Sequence, residues 1–320
     1  MKRFVAALAA ALWLGTAWGQ AYPDKPIKFV VPFAPGGNLD FIARTMQPKL
    51  SEYLGVPVVI DNKAGAGGIV GAAFAAQQPA DGYTILLGNT GTNAIYPAIY
   101  DKLSYDPFKD FIPVARTTTN DFLAVIHPGV PANNLKEFIA YAKANPGKMS
   151  AAVAGVGSST HFAFELIKRN AGIDMLMVPY KGSAPAVNDV VGGHAQFIID
   201  APPVTLEFVK AGRLRPIAVT GKKRLASAPD VPTFDEAGLP GIEASGFQGI
   251  FVPAGTPPAV VSKLSEVVLK VLAQPDVRER FASQGLDTSP LDAKDFAAFI
   301  KSEAPKWAGI AKAANIKAEQ

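Results

Sequence analysis

One arrangement recurs along this chain and restricts its fold more than any other feature. A short apolar run breaks into glycine, serine, threonine and asparagine, and an amphipathic stretch follows. Residues 25–33 form the first apolar run and enter Ala34-Pro35-Gly36-Gly37-Asn38, with Asp40 at the expected N-cap of a helix. Pro48 inside that helix predicts a kink or an early end. The unit returns at 56–60 with Ala64-Gly65-Ala66-Gly67-Gly68 and a helix over 69–77. It returns again at 84–87 with Gly88-Asn89-Thr90-Gly91-Thr92-Asn93. A second group begins at 149–153, with Gly155-Val156-Gly157-Ser158-Ser159-Thr160 and a helix over 161–170. It continues at 175–178, with Pro179-Tyr180-Lys181-Gly182-Ser183 and a helix from Pro185. Short apolar strands alternating with helices predict parallel α/β sheets.

Two groups of units predict two lobes. The stretches 122–126 and 246–252 are candidate strands crossing between them, and Thr256-Pro257-Pro258 opens a helix carrying Val260, Leu264, Val268 and Leu272 on one face. The expected division is 22–123 plus 248–320 for the first lobe and 124–247 for the second, with the C-terminal helices folding back on the first. Lys2 and Arg3, the apolar run 4–19 and the small residues Thr16, Ala17, Gly19 and Ala21 have the order of a secretory signal peptide over 1–21, cleaved after Gly19 or after Ala21. The run is short of the ~20 residues a membrane span needs.

Composition then narrows function. There are 31 Lys+Arg against 27 Asp+Glu, a formal +4, and +2 once Lys2 and Arg3 are set aside. That balance, without a basic block, disfavours nucleic acid. No cysteine means no disulfide, thiol nucleophile, Cys-bound metal or lipid-anchored Cys, and His127, His161 and His194 lie too far apart for a histidine metal centre. No metal and no cofactor is expected. Gly65-Ala66-Gly67 with Gly71 reads GxGxxxG, not the dinucleotide pattern, and neither a GxSxG elbow nor HExxH occurs. Ser158 and Ser159 beside His161 offer a hydrolase only by proximity in sequence. Loops at the carboxyl ends of strands and at helix N-termini are natural anion sites. Almost none carries Lys or Arg (Lys63 and Lys181 excepted), which suits a carboxylate held by dipoles and hydrogen bonds.

The residues also carry a family resemblance over essentially the whole chain after the leader. Its landmarks include Tyr22-Pro23-Asp24-Lys25-Pro26-Ile27, Val31-Pro32-Phe33-Ala34-Pro35-Gly36-Gly37, Ala64 to Gly68, Asp81-Gly82-Tyr83-Thr84, Val178-Pro179-Tyr180-Lys181-Gly182-Ser183 and Pro253-Ala254-Gly255-Thr256-Pro257. The chain resembles the extracytoplasmic substrate-binding proteins of tripartite tricarboxylate transporters, the TctC or Bug family. The resemblance implies a type II periplasmic-binding fold of two Rossmann-like lobes. It also implies a non-enzymatic, monomeric periplasmic receptor that closes on a small carboxylate and delivers it to a two-subunit membrane transporter. The ligand class spans di- and tricarboxylates, aromatic acids and acidic amino acids. A sensor presenting its bound form to a membrane histidine kinase is the alternative.

Carried over by position, Phe33, Ala34, Gly36, Gly37 and Asn38 resemble a carboxylate clamp, and Gly67, Thr90, Thr92 and Asn93 add contacts from the first lobe. Ser158, Ser159, Thr160 and His161 meet the ligand's other end, with Pro179, Tyr180 and Gly182 as floor. Asp200 matches an acidic position that pairs with an ammonium in amino-acid binders of the family. Two departures bear on ligand choice: Asn38-Leu39 replaces the usual Ser-Thr before Asp40, and Ala201-Pro202-Pro203 replaces the commoner Asn-containing turn.

Overall fold

A computed structural model describes residues 22–242, 244–313 and 316–318, so the leader expected over 1–21 lies outside the described residues. The first unit shows why these segments fold as they do. Strand β1 (Ile27–Val31) is buried on both faces save at the half-buried Lys28, as its otherwise apolar run requires. Helix α1 (Asn38–Leu54) lays Ile42, Met46, Leu50 and Leu54, one every four residues, against it. Each such burial is worth about 1.5–3 kcal/mol. The helix does not end early: it passes Pro48, whose ring lies on the exposed face, and stops at Gly55, where φ is 70°.

The chain continues through β2 (Val58–Asn62), a single 3-10 turn (Ala66–Gly68), α2 (Ile69–Ala76), β3 (Thr84–Asn89), the wide turn Gly91–Ile95 and α3 (Tyr96–Ile99). After β4 (Phe111–Asp121) come β5 (Leu123–Ile126), α4 (Leu135–Ala144), β6 (Ser150–Val153), α5 (Ser159–Ala171), β7 (Leu176–Pro179), α6 (Ser183–Val191), β8 (Phe197–Asp200), α7 (Pro202–Lys210) and β9 (Arg215–Val219). The last elements are β10 (Ser245–Pro253), α8 (Pro258–Leu272), α9 (Pro275–Ser283) and α10 (Ala293–Ala313).

Two five-stranded sheets result, ordered β2-β1-β3-β10-β4 and β7-β6-β8-β5-β9. They are mixed rather than parallel throughout. β1, β2 and β3 run parallel, as do β6, β7 and β8, but β10 is antiparallel to both its neighbours and β5 to β8 and β9. The antiparallel strands are those that carry the chain between sheets. The outward crossing begins well before Phe122, at β4, and passes from one sheet to the other at that residue, which is 3% exposed. The return lies between β9 and β10. The Phe122 N–H donates to Thr220 Oγ1 at 2.9 Å, Thr220 Oγ1 donates to Ala244 O, and Gly246 leaves room for the Phe122 ring, so the two crossings lie side by side.

The C-terminal segment returns to the first sheet. Arg116 on β4 binds Ser289 through Nε–O (2.8 Å) and Nη2–Oγ (2.6 Å), while Phe296 packs on Phe247 and Phe251. Trp307 is buried, its Nε1 donates to Glu303 at 3.0 Å, and its ring meets Phe162 of α5 edge-on at 5.8 Å. No helix among the described residues is long and apolar enough to cross a membrane.

Candidate functional site

Between the sheets, at the carboxyl ends of their parallel strands, lies a cavity of about 40 Å³. Four helices begin on it. Gly37, Asn38 and Leu39 at the start of α1 line the first-lobe side; Ser158, Ser159 and Thr160 at the start of α5, Ser183 of α6, and Asp200 and Ala201 before α7 line the other. Helix N-termini carry unsatisfied N–H groups and partial positive charge. The starts of α1, α6 and α7 have no side-chain cap, their N-cap residues being Gly37, Gly182 and Ala201. Only α5 is capped, by Ser158, whose Oγ accepts the His161 N–H at 3.2 Å. The lining contains neither lysine nor arginine.

Asp40 does not cap α1. The helix starts two residues before it, and from the third helical position its carboxylate reaches back to accept the Gly36 N–H at 2.9 Å. Arg44 Nε at 2.7 Å and Asn62 Nδ2 at 3.1 Å complete its partners. Burial pushes this carboxyl up, but those three donors and the Arg44 charge outweigh it and hold it below the usual range. Asn62 Nδ2 also donates to Phe33 O at 3.1 Å, so the pair shapes the 33–37 loop from behind. Asn38, the first helical residue, presents a buried Oδ1 with no partner.

The crossing strands add Phe122 and Gln248 to the lining. The Gln248 amide is held from both ends: Oε1 accepts from Thr118 Oγ1 at 2.7 Å and Nε2 donates to Asn120 Oδ1 at 2.9 Å. Thr90 Oγ1 accepts the Phe247 N–H at 2.8 Å.

Asp200 is the only carboxylate in the lining and is 2% exposed. Its Oδ1 accepts from Ser183 Oγ (2.9 Å) and the Ala201 N–H (2.7 Å), while Oδ2 has no partner. Burial pushes its pKa up to about 6 despite those two donors.

The structure therefore brings Phe33, Gly37, Asn38, Thr90, Ser158, Ser159, Thr160 and Asp200 to one cavity. Nine other residues expected at the site lie outside that lining. Thr92 Oγ1 is committed to Asn93 Oδ1 (2.6 Å) and Asn89 Oδ1 (3.1 Å), tying the turn after β3. His161 is 6% exposed, its Nδ1 accepts the Gly157 N–H at 3.0 Å, and burial, then the Lys168 charge, push it down to about 4. A neutral imidazole so held makes no ion pair with Glu165, 4.0 Å away. Pro179 is exposed, and the Tyr180 hydroxyl turns to Asp189. Ala34, Gly36, Gly67 and Gly182 lie where the lobes touch. Ser158 Oγ meets His161 only through its backbone N–H, so Ser158 lacks the hydroxyl–imidazole hydrogen bond of a hydrolase nucleophile.

Sequence reasoning missed Leu39, Asn89, Phe122, Ala154, Ser183, Ala201 and Gln248. Asn89 and Ser183 stood inside loops already noted; Gln248, a polar residue amid the apolar run 246–252, was the other available signal.

Comparison with known proteins agrees with this architecture. The family described as "Tripartite tricarboxylate transporter family receptor" matches residues 42–316. The periplasmic binding protein BugD is 35% identical with a TM-score of 0.90, covering 93% of this chain and 100% of its own. Rpa4515 of R. palustris, solved with adipate, is 33% identical with a TM-score of 0.90, covering 92% and 99%. MatC of Rhodopseudomonas palustris, with bound malate, is 32% identical with a TM-score of 0.85, covering 90% and 99%. This chain belongs to the tripartite tricarboxylate transporter receptor family of periplasmic solute-binding proteins.

Proposed function

We propose that this protein captures a small organic carboxylate between its lobes in the periplasm and, as a monomer, delivers it to a two-subunit membrane transporter. The observation that carries this reading is the convergence of four helix N-termini on one cavity that holds no lysine or arginine. Such a site binds carboxylates by dipoles and neutral donors. The first end of the ligand meets the start of α1 and Thr90; the other meets Ser158, Ser159, Thr160 and Ser183. The adipate and malate bound in two relatives belong to the same chemical class. Thermal-shift measurements across mono-, di- and tricarboxylates, aromatic acids and acidic amino acids test it, and no shift with any of them sinks it.

Asp200 sets the choice within that class. An ionised carboxylate without a cation repels a plain dicarboxylate and attracts an ammonium or hydroxyl donor to its free Oδ2. Asp200→Asn is expected to tighten a plain dicarboxylate by roughly tenfold at pH 7.5, with the gain shrinking below pH 6, and to weaken an acidic amino acid. Calorimetric titration reads both.

A further inference from the structure

Three glycines of the loops around the cavity, Gly36, Gly67 and Gly182, lie at the contact between lobes, and their geometry leads to a fourth. A Cβ on Gly36 would stand 3.7 Å from Ala184 Cβ, and one on Gly182 would stand 3.6 Å from Ala34 N, both ordinary contacts across the cleft. The contact is far tighter on the other flank. A Cβ on Gly155, in the loop after β6, would lie 2.9 Å from Gly67 Cα, in the loop after β2 of the opposite lobe. Gly67 is anchored: its φ is 64°, and Tyr96 donates its hydroxyl to the Gly67 carbonyl. On the facing side, Tyr100 OH reaches the Val156 carbonyl at 3.5 Å.

Gly155 differs from its neighbours in why it must be glycine. Gly157 has a φ of 75°, so a side chain there is strained whatever the space. Gly155 has no positive φ, and the nearest atom to its Cβ outside Gly67 is Tyr180 O at 3.9 Å. Its own lobe would accept alanine; the opposite lobe would not.

We infer that Gly155 is a positioning residue that sets how far the two lobes close, and with it the length of ligand the cavity holds. Bare backbone meets bare backbone at Gly67, which lets the helix N-termini of both lobes reach one small ligand. A methyl group at 155 holds the lobes apart by a fraction of an ångström to about 1 Å, because carbon atoms rest about 3.5–4 Å apart. Donors on the two walls then no longer reach a short diacid together, whereas a longer one still spans them.

The inference rests on the carboxylate reading for its probes, a series of unbranched dicarboxylates from malonate to adipate. Their affinities are measured by calorimetry for the wild type and Gly155→Ala, alongside ligand-free melting temperatures and a crystal structure of the variant. The expected result is an unchanged ligand-free melting temperature, binding of the preferred diacid weakened roughly tenfold, the scale of one overpacked methyl, and a preference moved toward longer chains. Equal affinities and an unmoved preference overturn the inference. So does a marked fall in the ligand-free melting temperature, which would place the need for glycine within the lobe itself. Should the wild type bind none of these diacids, the ligand is of another kind, and the crystal structure of the variant alone decides the inference. A widened gap between residues 67 and 155 sustains the inference, and a retained close approach overturns it.

Discussion

Two aspartates, one in each lobe, begin from nearly the same position and end with opposite properties. Asp40 and Asp200 are 3% and 2% exposed, and each sits at the start of a helix behind a sheet's carboxyl edge. Asp40 has Arg44, Asn62 and the Gly36 N–H, and is held ionised; Asp200 has two neutral donors, keeps one oxygen bare, and is pushed up to about 6. Burial acts on both in the same direction, so partners decide the outcome. A carboxylate with every oxygen engaged holds a loop in shape, whereas one with a bare oxygen stores a cost that a ligand or a proton can relieve.

The largest effect that would break this comparison is on stability at neutral pH. Asp40→Ala takes away the buried acceptor shared by three donors, the Gly36 N–H, Arg44 Nε and Asn62 Nδ2, and frees the 33–37 loop. We expect a loss of about 2–3 kcal/mol in denaturant unfolding. A loss no greater than that of a surface substitution would show that Asp40 is not the scaffold of the pair.

The next effect is in its pH dependence. Between about pH 4 and 6 the folded chain keeps a proton on Asp200 that the unfolded chain releases, so this group's contribution is present below pH 4 and lost as pH rises through 6. Asp121, pushed up to about 6 by burial and Asp287, acts in the same direction. His161, pushed down to about 4, acts oppositely, removing stability as pH falls from about 6.5. The difference between wild type and Asp200→Asn isolates the one group. The wild type should gain on the order of 2 kcal/mol more than the variant on going from pH 7 to pH 4. Asp40, held low, should lose its contribution only below pH 4. Parallel pH profiles for wild type and Asp200→Asn would erase the contrast.

The smallest effect concerns α5, the one capped helix of the four that begin on the cavity. Ser158→Ala should cost about 1 kcal/mol through the lost bond to the His161 N–H. Glycine at the same position should cost only a few tenths. Urea midpoints of the two variants separate them.

Much of this was legible because punctuation by Gly, Ser and Thr after apolar runs is a local signal. The loops after β1, β3 and β6 were placed from it directly. The antiparallel insertion of β10 and β5 was not, since strand direction depends on how distant segments pair. Gln248 and Phe122 were missed as lining residues for the same reason: in sequence they are members of apolar runs, and only the crossing turns them toward the cavity. Gly36, Gly67 and Gly182 lie at the contact between lobes, a role that sequence does not separate from ligand contact, because a missing side chain permits close approach equally by a ligand or by another backbone. The N-cap expected at Asp40 lies three residues earlier, at Gly37, which offers no side chain to mark the boundary.

The edge-on contact of Trp307 with Phe162 has a practical consequence. Among the described residues Trp307 is the sole tryptophan, Trp13 and Trp18 preceding them. Its indole belongs to the helix that returns to the first lobe, yet it rests on a ring of α5, the helix whose start borders the cavity. Any displacement of one lobe against the other would change this ring contact and register in stopped-flow emission without attaching a dye.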